Sequence, residues 1–98
     1  MPYAFTAPLL LSDNDVWYFV AVPADMSDEI DERTAGLQGG FGSVRVEVTV
    51  GSTTWSTSVF PSKAIAAYWL PMKKQVRIAE DLRPGSPVEV SLRIVGLE

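Results

Sequence analysis

The chain of 98 residues contains no cysteine and no histidine. The absence of cysteine excludes disulfide bonds, zinc–thiolate sites and a cysteine nucleophile. The absence of histidine removes the side chain that most often acts as a general base or a metal ligand near neutral pH. Lysine and arginine are also few, 8 against 12 acidic residues, and the net charge of −4 argues against a dedicated nucleic-acid-binding protein.

Long hydrophobic runs are absent as well. The longest one, residues 16–23, falls far short of the roughly 20 residues that a membrane-spanning helix needs. The first five residues carry no positive charge and do not resemble a signal peptide. What is present, 47% hydrophobic and 20% charged residues, is the composition of an ordinary globular protein. We therefore expect a single soluble domain over residues 1–98, with the cytoplasm as its location.

Alternating apolar residues predict that strands dominate the fold. The predicted strands cover residues 3–11, 16–22, 44–50, 53–60, 65–70 and 88–94. The second strand is apolar on both parities and is expected to be buried on both faces. Gly51 and Ser52 predict a tight hairpin between the third and fourth strands.

Two short helices are expected between the strands. Apolar residues at helical spacing and a run of acids predict the first helix over residues 25–37. The second is predicted over residues 72–82, with Pro71 in its first turn, where a missing N–H group does no harm. The fold class is therefore mainly β, a small six-stranded barrel with two short helices.

The two halves of the chain share one plan, which indicates an internal repeat. Each half has a strand that ends in proline (Pro23 or Pro71), then a helix, a glycine-containing loop (36–42 or Gly85) and an alternating strand. The pseudo-repeats cover about residues 3–50 and 53–95. Two such strand–helix–strand units can close a barrel within one chain and so remove exposed sheet edges.

An ordered set of short segments resembles a known family. The set comprises Phe5-Thr6-Ala7, Trp17 with Phe19-Val20 and Pro23, Trp55-Ser56-Thr57-Ser58, Pro61, Tyr68, and Leu70-Pro71 with Lys74 and Arg77. In this order it resembles the domain of unknown function family 1905, over about residues 3–95. Two places depart from the family pattern: Gly85-Ser86-Pro87 stands where Gly-Asp is usual, and Ala66-Ala67 precede Tyr68 where glycine is frequent.

The segment from Leu70 to Val90 also resembles the AbrB-like swapped-hairpin domains. Together the two resemblances imply a double-split β-barrel made of two AbrB-like units in tandem, and they imply no established activity. The DNA-binding AbrB-like domains suggest nucleic acid as a ligand only by analogy of fold.

The second predicted helix carries the candidate binding residues. Lys73, Lys74 and Arg77 share a face away from its apolar side, and they could bind phosphate or a nucleic-acid backbone. Alternatively the face is only solvated, with Arg77 paired to Glu80 or Asp81, or Arg77 holds backbone carbonyls of a neighbouring turn. Residues 1–50 hold two basic and eight acidic side chains, and residues 51–98 hold six basic and four acidic. This polarity either steers an anionic partner or lets the halves attract each other.

Other residue groups have simpler interpretations. The acids of residues 25–32 could hold Ca²⁺ or Mg²⁺, but the helix dipole explains them and no EF-hand pattern is present, so no metal is predicted. Ser58 could be a nucleophile only with Lys63 as its base. Of the aromatic residues, which either stack on bases or fill the core, Trp69 is the one close in sequence to the basic residues.

The sequence favours a non-enzymatic binding or interaction module of unknown ligand and without a cofactor, a monomer or weak dimer whose partner could be another protein or domain. The first alternative is an anion or nucleic-acid binder that uses Lys73, Lys74 and Arg77. The second is a small Ser–Lys hydrolase built on Ser58 and Lys63.

Overall fold

The computed structural model describes residues 3–37 and 42–97, so that residues 38–41 of the glycine-containing loop lie outside the described part. The strands are β1 (Tyr3–Pro8), β2 (Leu10–Leu11), β3 (Tyr18–Ala21), β4 (Val44–Val50), β5 (Thr53–Ser62), β6 (Ala67–Pro71) and β7 (Pro87–Ile94). The helices are α1 (Ala24–Arg33) and α2 (Lys74–Ala79). The expected mainly β fold with two helices is confirmed, but the described residues form seven strands instead of six.

The extra strand arises where the N-terminal segment changes partner. The antiparallel sheet has the order β1-β7-β4-β5-β6-β3-β2, so β1 and β2 lie at its two ends. In the chain they are separated only by Leu9, which is buried. The Leu9 amide donates to the Ser86 carbonyl at 2.9 Å, and its own carbonyl accepts from Gly85 at 2.8 Å. One segment thus pairs with both ends of the sheet, which becomes nearly closed and barrel-like, and the predicted single strand 3–11 is corrected to two.

Strand β5 changes partner in the same way. Its residues 53–59 pair with β4, and its residues 60–62 pair with β6. The segment β1–β2 divides its length likewise between β7 and β3. Each of these two segments therefore joins the larger sheet, β1-β7-β4-β5, to the smaller sheet, β2-β3-β6-β5.

Backbone hydrogen bonds show how the two halves of the chain correspond. The amide of Val22 donates to the carbonyl of Tyr68 at 2.9 Å. The equivalent bond is formed by the residues 50 positions away from these two: the amide of Met72 donates to the carbonyl of Tyr18, also at 2.9 Å. From the first strands to the start of the helices, the two halves are thus related by a pseudo-twofold axis and a shift of 50 residues. Pro23 consequently corresponds to Lys73, and not to Pro71 as the shared plan of the sequence suggested.

Both helices are shorter than predicted. The last residue of β6 is Pro71, opposite Phe19 in the ladder, so that α2 begins at Lys74 and not at the proline. Thr34 caps the end of α1, its amide and hydroxyl both donating to the Ile30 carbonyl at 3.0 and 2.7 Å, and Gly36 then takes a positive φ of 82°.

The core lies inside the barrel and is built from one parity of each long strand. In β4 and β7 the inward residues alternate strictly with outward polar ones, as the sequence predicted. They are Val44, Val46, Val48, Val50, Val88, Val90, Leu92 and Ile94. Helix α1 contributes Ile30 and α2 contributes Val76, which cover the barrel with their apolar sides.

The hairpin between β4 and β5 has the predicted two-residue turn, and α2 packs its C-terminal end against it. Gly51 has a φ of 58°, and a Cβ atom on it would overlap the carboxylate of Glu80. That carboxylate accepts a hydrogen bond from the Thr53 hydroxyl at 2.7 Å. The conformation of this turn favours glycine, and a side chain at position 51 would have to displace the Glu80 carboxylate.

We predict that Gly51→Ala lowers the free energy of unfolding by about 1 kcal/mol more than Gly85→Ala does, as measured by urea denaturation. Both glycines have positive φ, but a Cβ at Gly85 would meet nothing within 4 Å. The excess therefore reports the displaced Glu80–Thr53 hydrogen bond. In a Glu80→Ala background the excess should vanish, and an unchanged excess there would contradict this explanation.

Candidate functional site

The two outer faces of the barrel differ sharply in chemistry. On the larger sheet most outward side chains are charged or hydroxylic, and two pairs of them bond across strands. Arg93 donates to Glu47 at 2.9 Å, and the hydroxyls of Thr49 and Thr54 lie 2.9 Å apart. This face is an ordinary solvated barrel surface.

The smaller sheet carries aromatic rings on its outer face. Val20 and Leu70 are fully buried, so their neighbours Phe19 and Trp69 point outward. The Trp69 ring centroid lies 5.8 Å from that of Phe19, 5.4 Å from that of Phe60 and 6.1 Å from that of Trp17. We call these four residues the aromatic wall. Trp69 lies at the centre of the aromatic wall and is half-buried, whereas Trp17 is 55% exposed.

Beside the aromatic wall lies a cleft of about 660 Å³, here called the aromatic cleft. One side is formed by the β2–β3 loop and the other by the loop between β5 and β6, where Ala64 and Ile65 lie over the wall. Its polar lining residues are Ser12, Asp13 and Ser62. Such a mixture, mostly apolar with a few polar groups, is typical of a small-molecule site.

Sequence reasoning singled out Trp69 and counted Trp17 among the aromatic residues that could stack on a ligand, but it missed Phe19 and Phe60. The second predicted strand was expected to be buried on both faces, and this is corrected, because Phe19 is only partly buried and Trp17 is exposed. A segment that is apolar on both parities looks the same whether its second face is buried or forms a binding wall. The repeat did hold a signal, since Phe19 and Trp69 are equivalent positions under the 50-residue shift.

The structure places Lys73 just before α2, Lys74 in its first residue and Arg77 in its last turn. Lys73 and Arg77 line a second, smaller cavity of about 270 Å³ together with Trp17 and Trp55. We call this the basic pocket. Lys74 is exposed and is not among the residues that line it. The three predicted basic residues are thus brought together only in part.

Arg77 is held firmly by backbone and ring. Its Nε donates to the carbonyl of Met72 at 3.0 Å, and its guanidinium carbon lies 3.6 Å above the centroid of the Tyr18 ring. The acids that the sequence offered as partners are engaged elsewhere: Glu80 accepts from Thr53, and Asp81 lies 3.6 Å from Arg83. The hydrogen bond to Met72 agrees with the expectation that Arg77 holds a backbone carbonyl. Its positive charge lies at the basic pocket.

The pseudo-twofold axis gives Arg77 a counterpart in Ser27. The buried Ser27 hydroxyl donates to the Val22 carbonyl at 3.1 Å and accepts from the Tyr68 amide at 3.0 Å. Val22 corresponds to Met72 under the 50-residue shift, so each helix secures the same carbonyl at the end of the preceding strand. Only the second half does so with a cation.

A third cavity, of about 640 Å³, lies between α1 and the β5–β6 region, with Ser27 and Tyr68 at the positions equivalent to Arg77 and Tyr18 of the basic pocket, and we call it the acidic pocket. Asp28, Asp31, Lys63 and Tyr68 line it. The Tyr68 hydroxyl donates to Asp31 at 3.3 Å. Burial raises the pKa of Tyr68 above its ordinary value, and the charge of the nearby Asp31 raises it further. The two equivalent cavities therefore carry opposite charge.

The remaining candidates of the sequence are not assembled into sites. Ser58 lies opposite Arg45 in the larger sheet, and the extended residues 58–62 place it roughly 13 Å from the loop that carries Lys63, at about 3.3 Å per residue. Of the acids of α1, Asp28 and Asp31 line the acidic pocket, and no group of metal-ligating side chains is found among the described residues. Within the same residues, no helix is long and apolar enough to cross a membrane.

Comparison with known families identifies the family of this chain. The model of the family described as Domain of unknown function (DUF1905) matches residues 5–92. The chain belongs to this family. The match confirms the family resemblance of the ordered segments, which include Trp17, Tyr68 and Arg77. Among curated proteins no match is found.

We predict that Arg77→Lys lowers the free energy of unfolding by about 1–2 kcal/mol, because lysine loses both the planar stack on Tyr18 and the Nε hydrogen bond to Met72. Urea denaturation measures the change. Lys74→Ala, one turn away and exposed, should change it by less than about 0.5 kcal/mol. Equal effects of the two substitutions would show that the Arg77 contacts add no stability.

We predict a loss of stability at alkaline pH that depends on Tyr68. Its raised pKa means that the folded state holds the phenol proton more tightly than the unfolded state does, so the unfolding free energy falls as pH rises beyond about 10. The contribution is complete below that pH. Urea denaturation at a series of pH values should give a shallower decline for Tyr68→Phe, in which Tyr3, whose pKa burial also raises, still contributes. An identical decline in wild type and variant would contradict the role of Tyr68.

Proposed function

We propose that this protein is a non-enzymatic binding domain that takes a small, planar, apolar ligand in the aromatic cleft. One observation carries the proposal: the smaller sheet and the loop before β3 place four aromatic rings on one outer face, whereas the outer face of the larger sheet is mostly polar. A group of half-exposed aromatic side chains beside a cavity is typical of an interaction site, because monomeric proteins rarely expose a large contiguous apolar patch that has no role.

The size and lining of the aromatic cleft support a small molecule as the ligand. Its volume of about 660 Å³ lies within the range of about 300–1,000 Å³ that is usual for such sites. Trp69 offers a ring face already fixed in place by three ring neighbours, so little side-chain freedom is lost when a planar ligand stacks there.

Three features support a role without catalysis. The sequence has neither histidine nor cysteine. The polar groups lining the aromatic cleft are two serines and Asp13, with neither a histidine nor a lysine to activate a serine. The cluster of Tyr68, Asp31 and Lys63 lies in the acidic pocket, on the other side of the β5–β6 loop, and the raised pKa of Tyr68 keeps this phenol neutral near pH 7.

Binding of a nucleic-acid backbone through Lys73, Lys74 and Arg77 is less well supported. Lys74 lies away from the basic pocket, and the guanidinium of Arg77 faces Tyr18 and the Met72 carbonyl. Two cations in a chain of net charge −4 give a weak attraction for a polyanion. A ligand with a single charge suits this pair better than a nucleic acid does.

We further propose that the barrel is a double-split barrel of two AbrB-like units in tandem. The exchange of partners supports this: β1 of the first unit pairs with β7 of the second, and β5 of the second pairs with β4 of the first. The equivalent hydrogen bonds of Val22 and Met72 support the pseudo-twofold relation of the two units.

The proposal predicts that the neutral dye N-phenyl-1-naphthylamine binds with a rise in its fluorescence. Trp17→Ala removes an exposed ring of the aromatic wall and should weaken binding about threefold to tenfold, since one aromatic contact contributes about 0.5–1.5 kcal/mol. Ile78→Ala is the matched control, because Ile78 is 69% exposed and lies on α2, outside the aromatic cleft. Absence of binding, or equal affinity in both variants, would refute the aromatic cleft as the site.

A further inference from the structure

The aromatic cleft and the basic pocket are neighbours. Trp17 and Pro71 line both of them, so the exposed Trp17 ring forms the boundary between an apolar cavity and a cationic one. Their volumes are about 660 and 270 Å³. A single molecule of moderate size can therefore contact both, with its larger part in the aromatic cleft.

The charge on the far side of Trp17 is fixed in position. Arg77 is oriented by Tyr18 and by the Met72 carbonyl, and Lys73 stands exposed beside it. Among the described residues, no carboxylate forms an ion pair with either cation. An anion placed there would meet two positive charges, one of which needs no reorientation.

On the other side of Trp17, in the aromatic cleft, the charge is negative. Asp13 lines the aromatic cleft, and it disfavours a second negative charge within it. An anionic group on a bound ligand is therefore directed away from the aromatic cleft and toward Lys73. The apolar wall, the acid and the two cations together define which end of the ligand goes where.

We propose that the ligand of the aromatic cleft is an amphiphilic anion: a free molecule with a planar apolar body against Trp69 and one carboxylate, sulfonate or phosphate group in the basic pocket. This inference rests on the proposed function, because it assigns the charged end of the same ligand. A free molecule suits the cavities, because their volumes match one small ligand and not an extended polymer.

Two dyes with one ring skeleton test this inference. 8-Anilino-1-naphthalenesulfonate differs from N-phenyl-1-naphthylamine only by its sulfonate group. At low salt we expect the sulfonate to bind about fivefold more tightly than the neutral dye, a ratio typical of a partly exposed ion pair. Lys73→Ala should reduce this gain, because only Arg77 then remains in the basic pocket, whereas Lys74→Ala, with the same change of net charge, should keep it. Salt near 0.15 M should reduce the gain in the wild type.

The outcomes separate the two proposals. If the neutral dye binds but the sulfonate gives no gain, or if Lys73→Ala and Lys74→Ala reduce the gain equally, the anionic end is refuted and the aromatic cleft stands. If neither dye binds, the proposed function itself fails. Thermal melts of both lysine variants, compared with the wild type, show whether the fold is intact, since both residues are exposed.

Discussion

The structure depends on one constraint of backbone hydrogen bonding: a sheet this small must pair its edge strands or leave them open to association. The segment of residues 3–11 meets the constraint by pairing with β7 through its first part and with β3 through its last. Buried Leu9 marks the change of partner, and its amide and carbonyl are satisfied by Ser86 and Gly85. Because the ends of the sheet are joined by covalent chain, the inward valines of β4 and β7 can form a core that water does not reach. β5 plays the same part on the opposite side of the barrel.

The shift of 50 residues explains where the cavities lie. Val20 and Leu70 pair directly across the pseudo-twofold axis, and Phe19 and Trp69 stand outward on either side of them. The aromatic wall is thus centred on the axis, where both halves of the chain contribute equally. The acidic and basic pockets lie away from it as an equivalent pair, each beside the start of one helix. Equivalent backbone positions carry different side chains, Ser27 in one half and Arg77 in the other.

Local patterns were enough to predict much of the fold but not its closure. The alternation of valines in β4 and β7 and the turn at Gly51 are properties of a few adjacent residues, and the structure has them as predicted. The break at Leu9 depends on which strands lie at the ends of the sheet, a long-range property that no window of sequence contains. Pro71 was assigned to a helix because its local chemistry allows that position, whereas pairing with β3 keeps it in a strand. Likewise, the composition of β3 could not distinguish a buried second face from the aromatic wall.

Arg77 shows why the charged residues were harder to interpret than the apolar ones. Its spacing from Lys73 and Lys74 suggested one solvated or anion-binding face, but the function of an arginine depends on what fixes its guanidinium. Here the Tyr18 ring and the Met72 carbonyl fix it, and neither carries a net negative charge that would neutralise it. A structural hydrogen bond and an available charge are therefore compatible in the same side chain. Ser27 forms the equivalent bond in the first half without any charge, so closing the end of a strand does not require a cation. Arg77 makes the same backbone contact and also places a positive charge beside Trp17. Because of this difference between the halves, the aromatic cleft has a cationic pocket next to it at Trp17.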